Sequence, residues 1–153
     1  MKGSVLWKIG CFVIVAVVVT GGTIAYMGAS WAIRAEHGLH AAILTHELLK
    51  EYMEAHDGAW PGSWEDLEKL PVRERRGMFQ QWPESSKQVQ RYMEIDFTVD
   101  VDKIETESLE QFKEKFDAIR PLGPCYPYDH YWMMEQLYET IRKYQRMKKY
   151  SAP

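Results

Sequence analysis

Cysteine is scarce: the chain has two in 153 residues, Cys11 and Cys125. Only Cys125 lies beyond residue 33, so no intrachain disulfide can brace that part. Ten glycines and seven prolines are too few for collagen or low-complexity sequence. Excess charge is missing too. Nineteen basic and 22 acidic side chains leave a net charge of −3, which gives no reason to expect nucleic acid. With 46% hydrophobic residues the chain is not wholly disordered. Its length suits one modest domain plus an appendage rather than a multidomain enzyme. Chemical motifs are lacking as well: there is no Gly-rich phosphate loop and no GxSxG elbow.

One charge-free stretch dominates what is present. Ile9 to Ile33, IGCFVIVAVVVTGGTIAYMGASWAI, holds 25 residues without a charge. A bilayer core needs about 20 residues of helix. Hydrocarbon forces the backbone to satisfy its own hydrogen bonds, so the run is expected to be helical despite its valines. Trp7, Tyr26 and Trp31 stand near its ends, where amphipathic rings favour the interface. A cleaved signal peptide has an apolar region of only about 7–15 residues. The core from Ile9 to Ala25 already exceeds that, and Thr23-Ile24-Ala25 and Ser30-Trp31-Ala32 are poor cleavage sites. The run is therefore read as an uncleaved anchor contacting the lipid bilayer through residues 9–33.

Lys2 and Lys8 precede the run, and Arg34 follows it, soon joined by Glu36. That bias predicts a cytoplasmic leader (1–8), a transmembrane helix (9–33) and an extracytoplasmic domain (34–153). Lys8-Ile9-Gly10-Cys11 is not a lipidation site, because the apolar run follows the cysteine instead of preceding it. Gly21, Ala25 and Ala29 recur every four residues, a spacing common in membrane helices.

The remaining 120 or so residues can bury one core. All 22 acidic side chains lie here against 17 of the basic ones, a local charge of −5. Residues 34–55 are rich in helix formers and continue the first helix. Leu39, Ala42, Ile43, His46, Leu49 and Met53 fall on one side at helical spacing; Glu36, His40, Glu47, Lys50, Glu51 and Glu54 mostly fall on the other. Gly38 is a candidate flexible point. Asp57-Gly58 is expected to end the helix and Trp60-Pro61-Gly62 to turn the chain. Ser63 can cap a short helix from Trp64 to Leu70, with Asp66 completing an imperfect capping box, Leu67 pointing inward and Pro71 stopping it. Gly58, Trp60, Pro61, Ser63, Trp64 and Leu67 are the structural or interaction candidates.

Residues 71–91 are polar; Arg73, Arg75 and Arg76 read as a solvated cluster, with Met78, Phe79 and Trp82-Pro83 folding back. From Arg91 to Val101, Met93, Ile95, Phe97, Val99 and Val101 alternate with mostly polar residues, predicting a strand with Glu94, Asp96 and Asp100 on its wet face. Those acids do not have EF-hand spacing. Residues 105–115 fit a short helix or an irregular connection, and Phe116–Pro121 a second, antiparallel strand. A last helix is expected from Asp129 to Tyr150, with Tyr131, Met134, Leu137, Tyr138, Ile141 and Tyr144 inward and Met147 extending the stripe. Arg142, Lys143, Arg146, Lys148 and Lys149 load its end, where cations favour the dipole. The plain reading is a solvated tail; contact with anionic lipid or nucleic acid is the alternative.

Catalytic and cofactor residues do not emerge. His37, His40 and Glu47 form a conceivable zinc set, but His46-Glu47 is followed by Lys50 where a zincin needs histidine. His46 reads as a buried, hydrogen-bonded residue. Asp129-His130 has no evident nucleophile beside it, and Cys125 no basic neighbour to activate it. Six Trp and nine Tyr exceed what a small core needs, and such residues anchor interfaces.

A basic leader, one apolar helix, an amphipathic continuation and Gly58-Ala59-Trp60-Pro61-Gly62-Ser63-Trp64-Glu65-Asp66-Leu67 together resemble type IV pilins and the pseudopilins of type II secretion. Gly58, Trp60, Pro61 and Leu67 echo a segment that follows the long helix in that family. The resemblance implies an α+β fold: a long N-terminal transmembrane helix whose amphipathic continuation packs on a small antiparallel sheet, with a C-terminal helix. It implies a role in protein–protein contact within a secretion or envelope assembly, with the partner unknown. Two family features are not matched. Cys11 stands between Gly10 and Phe12, and Val15 occupies the position of the helix glutamate. The expectation is an anchored, pilin-like protein that does not polymerise through that glutamate. The alternative is a membrane-tethered enzyme using a His/Glu metal site.

Overall fold

The computed structural model describes residues 3–70, 86–105, 108–125 and 130–151. The elements are α1 (Gly3–Ala55), α2 (Trp64–Glu68), α3 (Ser86–Val89), β1 (Met93–Ile95), a 3₁₀ turn (Val101–Lys103), α4 (Leu109–Lys115), β2 (Ile119–Pro121) and α5 (His130–Ser151). The described residues are mostly helical, with one two-stranded antiparallel sheet.

The expected single long helix is present. α1 runs 53 residues without a break, about 80 Å at 1.5 Å per residue. It has no fixed amphipathic face along its length, because its two halves differ. Side chains 10–29 all lie exposed, and this half is long and apolar enough to cross a membrane. From Ala35 onward the helix is covered: Ala35, Ala41, Ala42, Leu44, Thr45, His46, Leu48, Leu49 and Met53 are buried. That is broader than the expected single stripe. Packing comes from more than one side, with α5 making the larger contact and β1 and α2 smaller ones.

Gly38 is not a flexible point. The helix passes straight through it, and a Cβ there would lie 2.6 Å from the Pro124 carbonyl oxygen. Glycine is needed so that the segment after β2 can press against the helix. This contact falls five residues beyond Ile33, so the domain grips α1 almost as soon as the charge-free run ends.

Asp57-Gly58 ends α1 as expected. Asp57 (φ 52°) and Gly58 (φ 81°) both take the left-handed conformation, and the Gly58 N–H donates to the Met53 carbonyl at 2.8 Å. Gly58 has a second reason to lack a side chain: a Cβ would overlap Tyr144 of α5. α2 is shorter than expected, and its capping box does not form as such. Ser63 is the N-cap residue but its side chain caps no backbone N–H. Asp66 reaches back instead, accepting from the Gly62 N–H (3.1 Å) and the Ser63 hydroxyl (3.3 Å). Leu67 points inward at 2% exposure.

The predicted strand over 91–101 survives only as β1. It pairs with β2 in the register Met93–Pro121, Glu94–Arg120, Ile95–Ile119. Beyond it the Asp96 side chain accepts from the Thr98 N–H (2.8 Å) and hydroxyl (2.7 Å), and this local turn replaces the ladder. Asp100 then caps the 3₁₀ turn through the Asp102 N–H. The alternation still shows in burial, since Met93, Ile95 and Val101 are buried and Phe97 and Val99 half-buried. The inward pattern outlasts the strand because the mate is only three residues long. Residues 109–115 form α4, capped by Ser108 on the Gln111 N–H. The second strand therefore starts at Ile119 and not at Phe116, which ends α4.

α5 forms where expected and runs in the same direction as α1. Pro124, just before it, abuts Gly38, and farther on the Tyr144 hydroxyl donates to the Glu54 carbonyl at 3.4 Å. Met134, Leu137, Ile141 and Tyr144 are buried as read, with Tyr138 half-buried. Met147 does not extend the stripe: it is 52% exposed, past the end of α1. Met133 and Thr140 join the buried side. Phe112, Leu49, Met53, Leu67, Leu137, Ile141 and Val89 are the largest fully enclosed apolar side chains. The readings of Pro71, Arg73, Arg75, Arg76, Met78, Phe79, Trp82, Pro83, Asp129 and the side chains of His130 and Tyr131 fall outside the described residues.

Candidate functional site

The six residues singled out around the turn after α1 are occupied within the fold. Trp60 Nε1 donates to the Asp96 carbonyl at 2.9 Å and its ring stands edge-on to Phe116. Trp64 stands edge-on to Phe97. Pro61 and Leu67 are enclosed, Gly58 faces Tyr144, and Ser63 holds Asp66. This segment therefore joins the end of α1 to the sheet and to α5. The carboxyl of Asp66 is held below its ordinary value chiefly by the Lys69 ammonium, against the opposing effect of desolvation.

Among the described residues, the histidines do not converge on a metal-binding group. His37 Nδ1 is hydrogen-bonded to the Tyr92 hydroxyl at 3.2 Å, and His46 Nδ1 donates to the Ala42 carbonyl at 2.9 Å. His56 stacks on Tyr52, 4.0 Å between centroids. Among the described residues, no three His, Cys, Asp or Glu side chains come together to hold a metal ion. The acids of the predicted wet strand face are likewise divided among local tasks. Glu94 pairs with Arg120 across the sheet, Asp96 holds Thr98, and Asp100 pairs with Lys103. Hydrogen bonds from Thr98 lower the Asp96 carboxyl, and Lys103 lowers that of Asp100. Cys125 is half-buried, and burial pushes its thiol up, away from reactivity.

An arrangement with chemistry to offer lies along the second half of α5. The 3₁₀ turn, α4 and the second half of α5 enclose an open groove of about 810 Å³. Gln145 ties its floor, donating from Nε2 to the Val101 carbonyl at 2.7 Å and to the Ile104 carbonyl at 3.3 Å. Lys148 grips both Asp102 oxygens, at 2.6 and 2.8 Å. Arg142 enters from α5 and Lys115 from α4. The basic run of α5 is thus divided by helical spacing. Positions 142, 145 and 148 share the groove face, whereas Lys143, Arg146, Lys149 and Tyr150 are exposed. Sequence reasoning saw the five cations but read them as one solvated tail. The i, i+3 spacing of Arg142, Gln145 and Lys148 was the signal for a face; Lys115 and Ile104 arrive from elsewhere in the chain and carried no local signal.

The parallel course of α5 sets the height of this groove. Tyr144 is level with Glu54, which lies 21 residues beyond Ile33, or about 30 Å along the helix. The basic end of α5 thus stands about 30 Å along α1 from the end of the charge-free run. No family model, curated protein or solved structure matches the chain.

Proposed function

We propose that this is a single-pass membrane protein that presents residues 34–153 as a small, pilin-like, extracytoplasmic domain for protein–protein contact in a secretion or envelope assembly. The observation that carries the reading is the continuity of α1: one helix supplies both an exposed apolar half and the spine of the folded domain. An exposed apolar surface of that extent needs a cover that water cannot supply. The basic leader, Lys2 and Lys8, supports a cytoplasmic N-terminus. Gripping at Ala35 and Gly38 leaves no linker, so the domain is held at a set height and orientation rather than tethered loosely.

Two reporters fused after Pro153 test the topology, one active only in the cytosol and one only outside it. Activity from the exported reporter alone is the expected result, and activity from the cytosolic one alone rejects the orientation. Extraction of membranes at alkaline pH tests the anchor: the full-length chain should stay with the lipid, and its release intact into the supernatant rejects the span.

A further inference from the structure

We propose that the groove between the 3₁₀ turn, α4 and α5 is a docking site for an acidic, extended segment of a partner protein, whose carboxylates are received by Arg142 and Lys115. The inference deepens the presentation reading by naming the chemistry of the partner, and it rests on that reading only for which proteins the domain meets.

The groove's size is that of an ordinary ligand site, which spans about 300–1,000 Å³. Among the described residues its cations outnumber its acids, three against two. Lys148 and Asp102 neutralise each other, leaving Arg142 and Lys115 facing Glu105. Arg142 is the informative group. A guanidinium carries five N–H donors. Among the described residues, this half-buried one makes a single hydrogen bond, a long 3.3 Å contact from Nη1 to Gln145 Oε1. Its Nε is buried with no acceptor among the described residues. The Nε has no open surface, so a carboxylate entering the groove meets the terminal Nη groups, whose planar fork suits it. Gln145, which accepts that bond, is itself fixed, because its amide nitrogen is tied to the Val101 and Ile104 carbonyls. The site is therefore held in place before any ligand arrives.

The lip argues for a polypeptide. Beyond the groove, α5 exposes Lys143, Arg146 and Lys149 beside Met147 (52% exposed) and Tyr150 (86% exposed). Cations interleaved with apolar side chains suit an acidic segment that also carries apolar residues. With the anchor placed as proposed, the lipid lies about 30 Å away along α1, which favours a polypeptide as the source of the anion.

The test uses the full chain in neutral phosphatidylcholine nanodiscs, labelled with nitrogen-15. The Arg142 Nε–Hε resonance is assigned by its disappearance in Arg142→Lys. A blocked glutamate-rich peptide should shift that resonance saturably, and Lys115→Gln should weaken the midpoint about tenfold. Lys87→Gln, an exposed lysine on α3 outside the groove, should leave it unchanged. If Arg142→Lys disturbs the fold, the Lys115→Gln and Lys87→Gln pair still decides. A shift that never saturates, or equal losses from both lysine variants, overturns the site as diffuse screening. Inorganic phosphate or a single-stranded oligonucleotide acting at the same or lower concentration overturns the peptide assignment. Failure of the topology reporters leaves this binding result intact, so the two readings fail separately.

Discussion

Residues 10–29 and 35–55 belong to one helix with the same backbone geometry, yet they live in opposite surroundings. Every side chain of the first segment is exposed, whereas Leu49 and Met53 in the second have no accessible surface at all. The two halves reach stability by different routes. The upper half is held by the packing of α5, β1 and α2 against it. The lower half has no protein partner among the described residues and holds its shape through its own backbone hydrogen bonds, which a lipid surrounding would strengthen. Helix propensity therefore says little about either half; what surrounds the side chains decides.

The sharpest way to break the comparison is to place one acid in each half. Leu49→Asp should cost the domain more than about 4 kcal/mol, because an unpaired charge enters a closed core. Chemical denaturation of the full chain in detergent measures it. Val18→Asp should leave that denaturation curve unchanged but disfavour membrane insertion by about 2.5–3.5 kcal/mol, read from the fraction retained after alkaline extraction. Equal effects of the two on unfolding would collapse the distinction. Next in size is Phe112→Ala, expected to lose about 3–5 kcal/mol, since Phe112 stacks on Phe116 and sits fully enclosed beside Tyr138.

Glycines sharpen the same contrast. Gly38→Ala should destabilise by about 1–3 kcal/mol, because the added methyl meets the backbone oxygen of Pro124. Gly28→Ala has nothing within 4 Å and should be neutral or slightly helix-favouring in a thermal melt. Lys148→Met removes an exposed ion pair to Asp102 and should cost less than about 1 kcal/mol in the same melt.

The smallest effect is a pH slope confined to the upper half, since no acid precedes Glu36. Asp66 and Asp96 have folded values lowered from 3.8, so their contribution is fully present above that value and is lost as pH falls through the lowered one. Denaturation midpoints should therefore fall as pH drops below about 4. Asp96→Asn, which removes the carboxylate held by Thr98, should flatten part of that decline.

Legibility in the sequence followed the range of the interactions. α1 was readable because its charge-free run and its amphipathic continuation are both local patterns, and the Asp57-Gly58 stop is a local device. The strand over 91–101 was overread for a definite reason. Alternation reports burial, and burial does continue to Val101, but ladder length depends on the three residues of β2, more than twenty positions away. The role of Gly38 was misread because the oxygen that forbids a side chain there belongs to Pro124. The turn residues Trp60 and Trp64 read as structural or interaction candidates; their contacts within the fold are with Asp96, Phe116 and Phe97, none of them close in sequence.

Composition and periodicity alone determined that a long apolar helix opens the chain, where it stops, and that Met134, Leu137, Ile141 and Tyr144 of the last helix face inward, because each is a property of neighbours within a few turns. Only the tertiary structure decided that α5 runs alongside α1 in the same sense, that its basic end stands far from the apolar half, and that Arg142, Gln145 and Lys148 meet Lys115 across a groove. Those outcomes depend on how distant segments pack, and dense packing against a shared core is selected over the whole chain at once rather than within any window of it.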